Sequence, residues 1–329
     1  MTYPSTWNIR GLCITAPKPA DLDLFVRFVR ERLAADGINT LVLLTRYRYA
    51  FETHPECRGN DPLSKADVAA IRAVCDECGI ELIPKMNLLG HQSGKAKTRE
   101  SLDGLLRGFP QFDETPDADE VEYCRSLCPS DPECLAVVLD LVGEMADAFG
   151  AKTFHIGCDE VFEIAKCPRC RDKSTAALFA GWVSAIHDFL AARGIRTMMW
   201  GDRLLDGTAT GYGRWEASQN GTEAAISTLP KDILLCDWHY ENMPAYPSVE
   251  VFAEAGFDAV LCPWRYKDNA VKFIEYAKAH DGGNIRGVME TTWCDPAALI
   301  KVLMGIPDDK TYSAENHKFV AETYRTLFM

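Results

Sequence analysis

Asp159 and Glu160 are the residues whose type and spacing point most directly to chemistry. They stand side by side just beyond an apolar run, Thr153 to Ile156, that closes at Gly157. β-Branched and aromatic residues in so short a run read as a buried strand, and the glycine reads as its stop. A parallel strand that delivers carboxylates at its C-terminal end is where α/β enzymes place their reacting groups. Adjacent carboxylates repel, so one of the two is expected to keep its proton nearer neutrality and serve as an acid. A solvated surface Asp-Glu pair is the plain alternative, and the rest of the chain decides against it.

Similar side chains recur where other apolar runs end. Asn87 and Gly90-His91 follow the third run, and Trp200-Gly201-Asp202 closes the fifth. Asp237-Trp238-His239-Tyr240 closes the sixth, Trp264-Arg265-Tyr266 the seventh and Thr292-Trp293-Cys294-Asp295 the eighth. Four of the seven tryptophans therefore end consecutive runs. Indoles interleaved with carboxylates suit a ligand with apolar faces and a hydroxyl rim, which describes a sugar. No H-x-H or HExxH pair accompanies them, so neither a catalytic metal nor a cofactor is expected.

The elements that must hold these residues follow from periodicity. Strand patterns cover Gly11 to Thr15, Thr40 to Leu44, Glu81 to Pro84, Thr153 to Ile156, Thr197 to Trp200, Ile233 to Cys236, Ala259 to Cys262 and Gly287 to Glu290. Helical patterns lie between them: Asp21 to Ala35, Ser64 to Cys78, Pro132 to Phe149, Ser174 to Ala192, Thr222 to Thr228, Ser248 to Ala255, Asn269 to His280 and Ala297 to Phe328. Ser64 with Asp67 three residues on reads as a capping box, and Gly79 and Gly194 sit just past helix ends. Eight β/α units with no second composition regime predict an α/β protein, a single (β/α)8 TIM barrel over residues 1–329 with no separate N-terminal domain. A doubly wound sheet is the structural alternative. It loses ground because Cys13-Ile14-Thr15-Ala16-Pro17-Lys18, not a glycine-rich phosphate loop, follows the first strand. The connections at about 87–123 and 162–173 are the places for active-site loops.

Composition narrows the partners. A formal charge of −13 argues against nucleic acid or an anionic membrane, both of which need a basic face. The N-terminal MTYPSTWNIR has no apolar core of signal-peptide length and no later window approaches a membrane span, so a cytoplasmic location is expected. Thirteen cysteines, an odd number, with Cys13, Cys236 and Cys262 inside apolar runs, fit a reducing interior. Cys75 and Cys78 read as packing residues of one amphipathic helix. Cys167-Pro168-Arg169-Cys170 has the form of a zinc knuckle, which Cys124, Cys128 and Cys134 could complete; free thiols are the default and a structural zinc at Cys167 and Cys170 the alternative. A small glycan ligand is expected, and pairing as a homodimer is left open.

His155-Ile156-Gly157-Cys158-Asp159-Glu160-Val161 resembles the H-x-G-x-D-E signature of glycoside hydrolase family 20, the β-N-acetylhexosaminidases, and most of all the short intracellular branch typified by hexosaminidase D. The resemblance runs from Arg10-Gly11-Leu12 through Gly90-His91 to Trp293. It implies that Asp159 orients and polarises the 2-acetamido group of the substrate, while Glu160 is general acid and then general base. Trp200, Trp238 and Trp293 would wall the terminal sugar, with Trp264 and Asp202 beside them. Tyr240, or alternatively Tyr266, would donate to the acetamido oxygen, His91 would support the acids, and Asp295 would bind sugar hydroxyls. Residues adjacent on an extended segment point different ways, so the pair is unsuited to flanking a glycosidic bond at about 5–5.5 Å as acid and nucleophile. It can address the leaving oxygen and the amide of one sugar.

Two departures from that pattern stand out. Lys18 is the nearest counterpart of an arginine that grips sugar hydroxyls in many relatives, and it lacks the bidentate fork. Arg46-Tyr47-Arg48-Tyr49 replaces an acidic stretch, so Arg46 and Arg48 either pair with local acids such as Glu52 and Glu56 or favour a sulfated or uronic amino-sugar fragment. The residues also admit a barrel hydrolase that uses a carboxylate nucleophile on non-acetylated sugars, and a catalytically altered barrel that binds glycans or a partner.

Overall fold

Strand formation follows the apolar runs. In a computed structural model, which describes residues 1–94, 101–308, 310 and 315–329, the strands are β1 (Ile9–Thr15), β2 (Thr40–Leu44), β3 (Glu81–Lys85), β4 (Thr153–His155), β5 (Arg196–Trp200), β6 (Leu234–Asp237), β7 (Ala259–Leu261) and β8 (Ile285–Thr291). They form a closed barrel in the order β1 to β8, as the (β/α)8 reading expects. Buried on both faces, such strands need near-continuous apolar sequence, and every residue of β2, β6 and β7 is buried.

The helices are α1 (Leu22–Phe28), α2 (Lys65–Cys78), α3 (Gly104–Gly108), α4 (Pro132–Phe149), α5 (Thr175–Ala191), α6 (Ser248–Glu254), α7 (Lys267–His280), α8 (Pro296–Met304) and α9 (Asn316–Phe328). The Ser64 capping box forms: Asp67 N donates to Ser64 Oγ at 3.1 Å and Ser64 N to Asp67 Oδ2 at 2.7 Å. Gly79 closes α2 in the left-handed region at φ 67°. Three helices depart from expectation. The first widens after α1 into a π turn, Val29–Leu33, where Val29 and Leu33 are both buried. Thr222–Ser227 is a 3-10 helix, and its first hydroxyl, Thr222 Oγ1, donates to the Arg203 carbonyl at 3.0 Å. The C-terminal stretch is two helices, because Gly305 caps α8 at φ 67° and Pro307 follows; residues 309 and 311–314 lie outside the described residues.

Contacts divide the chain into two compact units. One comprises residues 1–45, 63–84 and 236–329, the other residues 46–62 and 85–235. In the first, β1 pairs with β2 from Gly11↔Thr40 to Thr15↔Leu44 and with β8 from Ile9↔Gly287 to Cys13↔Thr291. Gly287 is indispensable at that seam: at φ 147°, a Cβ there would lie 2.0 Å from the Ile9 carbonyl oxygen. In the second, β4 pairs with β5, and Lys85 at the end of β3 stands beside His155. Among the described residues no helix is long and apolar enough to cross a membrane.

Candidate functional site

The acids sit on a left-handed turn. After β4 the backbone of Gly157, Cys158 and Glu160 takes φ values of 73°, 66° and 48°. Such angles are uncommon for residues with a side chain and concentrate at functional sites. Gly157 must be glycine, since an added Cβ would lie 2.7 Å from the Met86 carbonyl oxygen. His91, also left-handed at φ 59°, comes from the loop after β3 and meets both acids. Its Nε2 lies 3.1 Å from Asp159 Oδ2 and 3.2 Å from Glu160 Oε2.

Electrostatics sets the state of Asp159. Burial opposes charge on Asp159, yet the His91 cation and Lys85 hold it well below the usual carboxylate range. Burial likewise opposes charge on His91, and Asp159 overcomes it, keeping the ring protonated well above its ordinary value. The proton expected on one member of the pair is therefore not on Asp159. Its Oδ1 is buried and has no hydrogen-bond partner in the structure. Asp202 is raised by burial and by Asp159, against the pull of Arg203. It accepts from Glu160 N at 3.0 Å and from Arg203 Nε at 2.7 Å.

Several members of this cluster were not legible in the sequence. Lys85 is buried, donates to Asn87 Oδ1 at 2.9 Å and lies 5.3 Å from the centre of the Trp200 ring. His155 packs on the same indole at 4.7 Å and is kept neutral by burial and by Lys85. Tyr123 stands edge-on to His91 at 5.6 Å, and it packs with Phe162 and with Trp215, a half-exposed indole. Its hydroxyl is raised by burial and by Glu160. For Lys85 the signal available was a lysine directly after the third apolar run, Glu81 to Pro84.

The same unit carries a second group of ligand-type atoms. Glu114, Cys128, Cys167 and Cys170 are buried, and each offers one atom within 4.8 Å of the others. Cys134 lies instead in the first turn of α4, and Cys124 faces His91. Arg46, at φ 50°, lies 3.9 Å from Asp103, an acid of the same unit.

In the other unit the ends of β6, β7 and β8 build an aromatic cluster. Trp293 Nε1 donates to Tyr240 Oη at 2.7 Å. The Tyr240 ring lies 4.8 Å from that of Trp238 and 5.2 Å from that of Trp264. Burial pushes the Tyr240 hydroxyl far up, so it stays protonated and able to donate. Tyr266 turns away to pack on Phe319 at 5.9 Å. Asp295 Oδ1 accepts from Ala298 N at 2.9 Å and caps α8. Asp237 and His239, which also follow β6, lie 3.0 Å apart and meet Ser248 of α6, a structural network.

Known proteins share both the sequence pattern and the fold. The family described as glycosyl hydrolase family 20, catalytic domain, matches residues 32–293. Hexosaminidase D of Bos taurus is 26% identical over 180 residues, covering 52% of this chain and 48% of the bovine one. Beta-hexosaminidase of Akkermansia muciniphila is 27% identical over 122 residues, covering 35% of this chain and 23% of its own. The matches thus take in about half of the bovine relative and about a quarter of the bacterial one. Among solved structures, a chitobiase of Flavobacterium johnsoniae superposes with a TM-score of 0.69 at 19% identity, over 98% of this chain and 52% of that one. A beta-N-acetylhexosaminidase of Bacteroides fragilis gives 0.66 at 12% identity, over 97% and 70%. At these identities the structural likeness speaks for the barrel fold.

Proposed function

The chain belongs to glycosyl hydrolase family 20, and on that footing we propose that it is an exo-acting, retaining β-N-acetylhexosaminidase that releases terminal β-linked N-acetylglucosamine or N-acetylgalactosamine. The observation that carries this reading is the asymmetry of Asp159: one oxygen against His91, the other buried without a partner. A carboxylate kept anionic and short of one donor suits an amide N–H. Accepting it polarises the acetamido group, whose oxygen then attacks the anomeric carbon of its own sugar. Holding that oxygen in place supplies proximity, and the Asp159 charge stabilises the oxazolinium ion that forms.

Glu160 protonates the leaving oxygen and then takes a proton from the water that opens the ring, giving net retention. His91 offsets the anion that appears on Glu160 after the first transfer. Tyr240, kept protonated, donates to the acetamido oxygen, and Trp238, Trp264 and Trp293 offer the apolar surface a pyranose face requires. Trp200, packed against Lys85 and His155, backs the acid cluster. No cofactor takes part in this scheme.

The test is hydrolysis of aryl N-acetyl-β-glucosaminides by the parent and by Glu160→Gln. The variant should lose about 10²–10⁴-fold on poor leaving groups, which need protonation, and far less on good ones. Equal loss on both would remove the acid role. Plain aryl glucosides should not be turned over, and a thiazoline mimic of the cyclic intermediate should inhibit; hydrolysis of plain glucosides would favour a carboxylate nucleophile instead.

A further inference from the structure

We propose that Glu114, Cys128, Cys167 and Cys170 form a structural zinc site. This proposal stands on residues that the hydrolysis scheme does not use. The Sγ atoms of Cys128 and Cys167 are 3.4 Å apart, and those of Cys128 and Cys170 3.6 Å. Tetrahedral zinc with bonds of about 2.3 Å to sulfur sets sulfurs roughly 3.8 Å apart. A disulfide needs about 2.05 Å and would use only two of the three thiols; all three are free.

Glu114 supplies the independent observation. It is fully buried, its Oε2 has no hydrogen-bond partner, and one of its carboxylate oxygens lies within 4.8 Å of the three sulfurs. A buried carboxylate oxygen left unsatisfied is costly, and a cation removes that cost. The remaining oxygen, Oε1, accepts from Lys166 N at 2.9 Å, which fixes the carboxylate as outer partners fix metal ligands. The Cys-Pro-Arg-Cys segment turns as a knuckle, with Cys170 N and Arg171 N both donating to the Cys167 carbonyl, at 3.0 and 2.9 Å.

Three sulfurs exclude calcium and magnesium, and a carboxylate in the fourth place disfavours an iron–sulfur centre, which takes cysteines. Four buried protein ligands leave no open position, so the site is structural and not catalytic. Binding deprotonates the thiols as the metal–sulfur bonds form, and the protons go to solvent. The ion would join the connection ahead of α4 to the loop after β4, gripping that loop seven residues beyond Glu160. Around it, Arg169 pairs with Asp131 and Lys173 Nζ donates to Ser130 Oγ at 2.8 Å, tying the same two segments.

The experiment is elemental analysis of the full chain purified without added metal or chelator, beside Cys170→Ser and His91→Gln. About one zinc per chain is expected in the parent and in His91→Gln, and less than about a tenth in Cys170→Ser. Cobalt substitution of the parent should show sulfur-to-metal charge-transfer bands and the intense visible bands of a tetrahedral site. Folded parent carrying under about a tenth of an equivalent overturns the proposal. So does metal kept by Cys170→Ser but lost from His91→Gln, which would put the ion at the His91, Asp159 and Glu160 group. Should Cys170→Ser not fold, the parent's zinc content and cobalt spectrum decide, and absent sulfur bands refute the site.

Discussion

Replacing His91 by glutamine removes a cation that lies within salt-bridge distance of both acids. His91 Nε2 stands 3.1 and 3.2 Å from the two carboxylates, whose own ligand atoms lie within 4.8 Å of each other. With an effective dielectric of about 20, the attraction between the His91 cation and the Asp159 anion is about 5 kcal/mol. Breaking a buried pair by removing one partner typically costs about 3–5 kcal/mol. For a chain of 329 residues the unfolding entropy is roughly 0.7 kcal/mol per kelvin, so Tm should fall by about 4–7 °C.

The pH dependence is the sharper check. His91 is raised when folded, so its stabilisation is complete below about pH 6.5 and fades as pH climbs through the folded value. Asp159 is lowered when folded, so its share is present above about pH 3.9 and is lost as pH falls. The gap in Tm between parent and His91→Gln should therefore be widest from about pH 4 to 6.5 and close towards alkaline pH. Thermal unfolding across pH 4.5 to 10 measures it. A gap that stays constant, or widens with rising pH, would refute the proposed ion-pair geometry.

Two more substitutions probe the frame. Gly157→Ala combines a left-handed φ of 73° with a contact at 2.7 Å to the Met86 carbonyl, so a loss of about 2–4 kcal/mol, or about 3–6 °C in Tm, is expected; an unchanged melting curve would show that the turn is not constrained. Arg46→Ala should leave the ratio of rates on neutral and 6-sulfated aryl N-acetylglucosaminides within about twofold, because Asp103 at 3.9 Å already answers its charge; a selective loss on the sulfated compound would show that Arg46 reads the anion.

The order of strands and the positions of their ends were legible because buried parallel strands leave continuous apolar runs. Thr40–Leu44 is the same in sequence and structure, and the limits that moved in the other strands did so by one or two residues. Helix breaks were harder to see. Ala297 to Phe328 keeps apolar spacing across Gly305 and Pro307, so periodicity alone could not divide it. The acids and the indoles were visible as strand-end residues, whereas Lys85 was hidden by a pattern that ended at Pro84. Glu114 lies in a connection without period, and no spacing rule links it to Cys167. Only folding distinguished Cys128 from Cys124 and Cys134 as the third sulfur of the cluster.

Asp202 takes hold of Glu160 by its amide, not by its carboxyl. For the acid and base roles proposed for Glu160, this kind of tether is useful. In the proposed scheme the peptide unit would stay fixed through both half-reactions, leaving the χ angles to swing the acid from departing alcohol to incoming water. The Arg203 guanidinium bound to Asp202 keeps that anchor from swinging along with it.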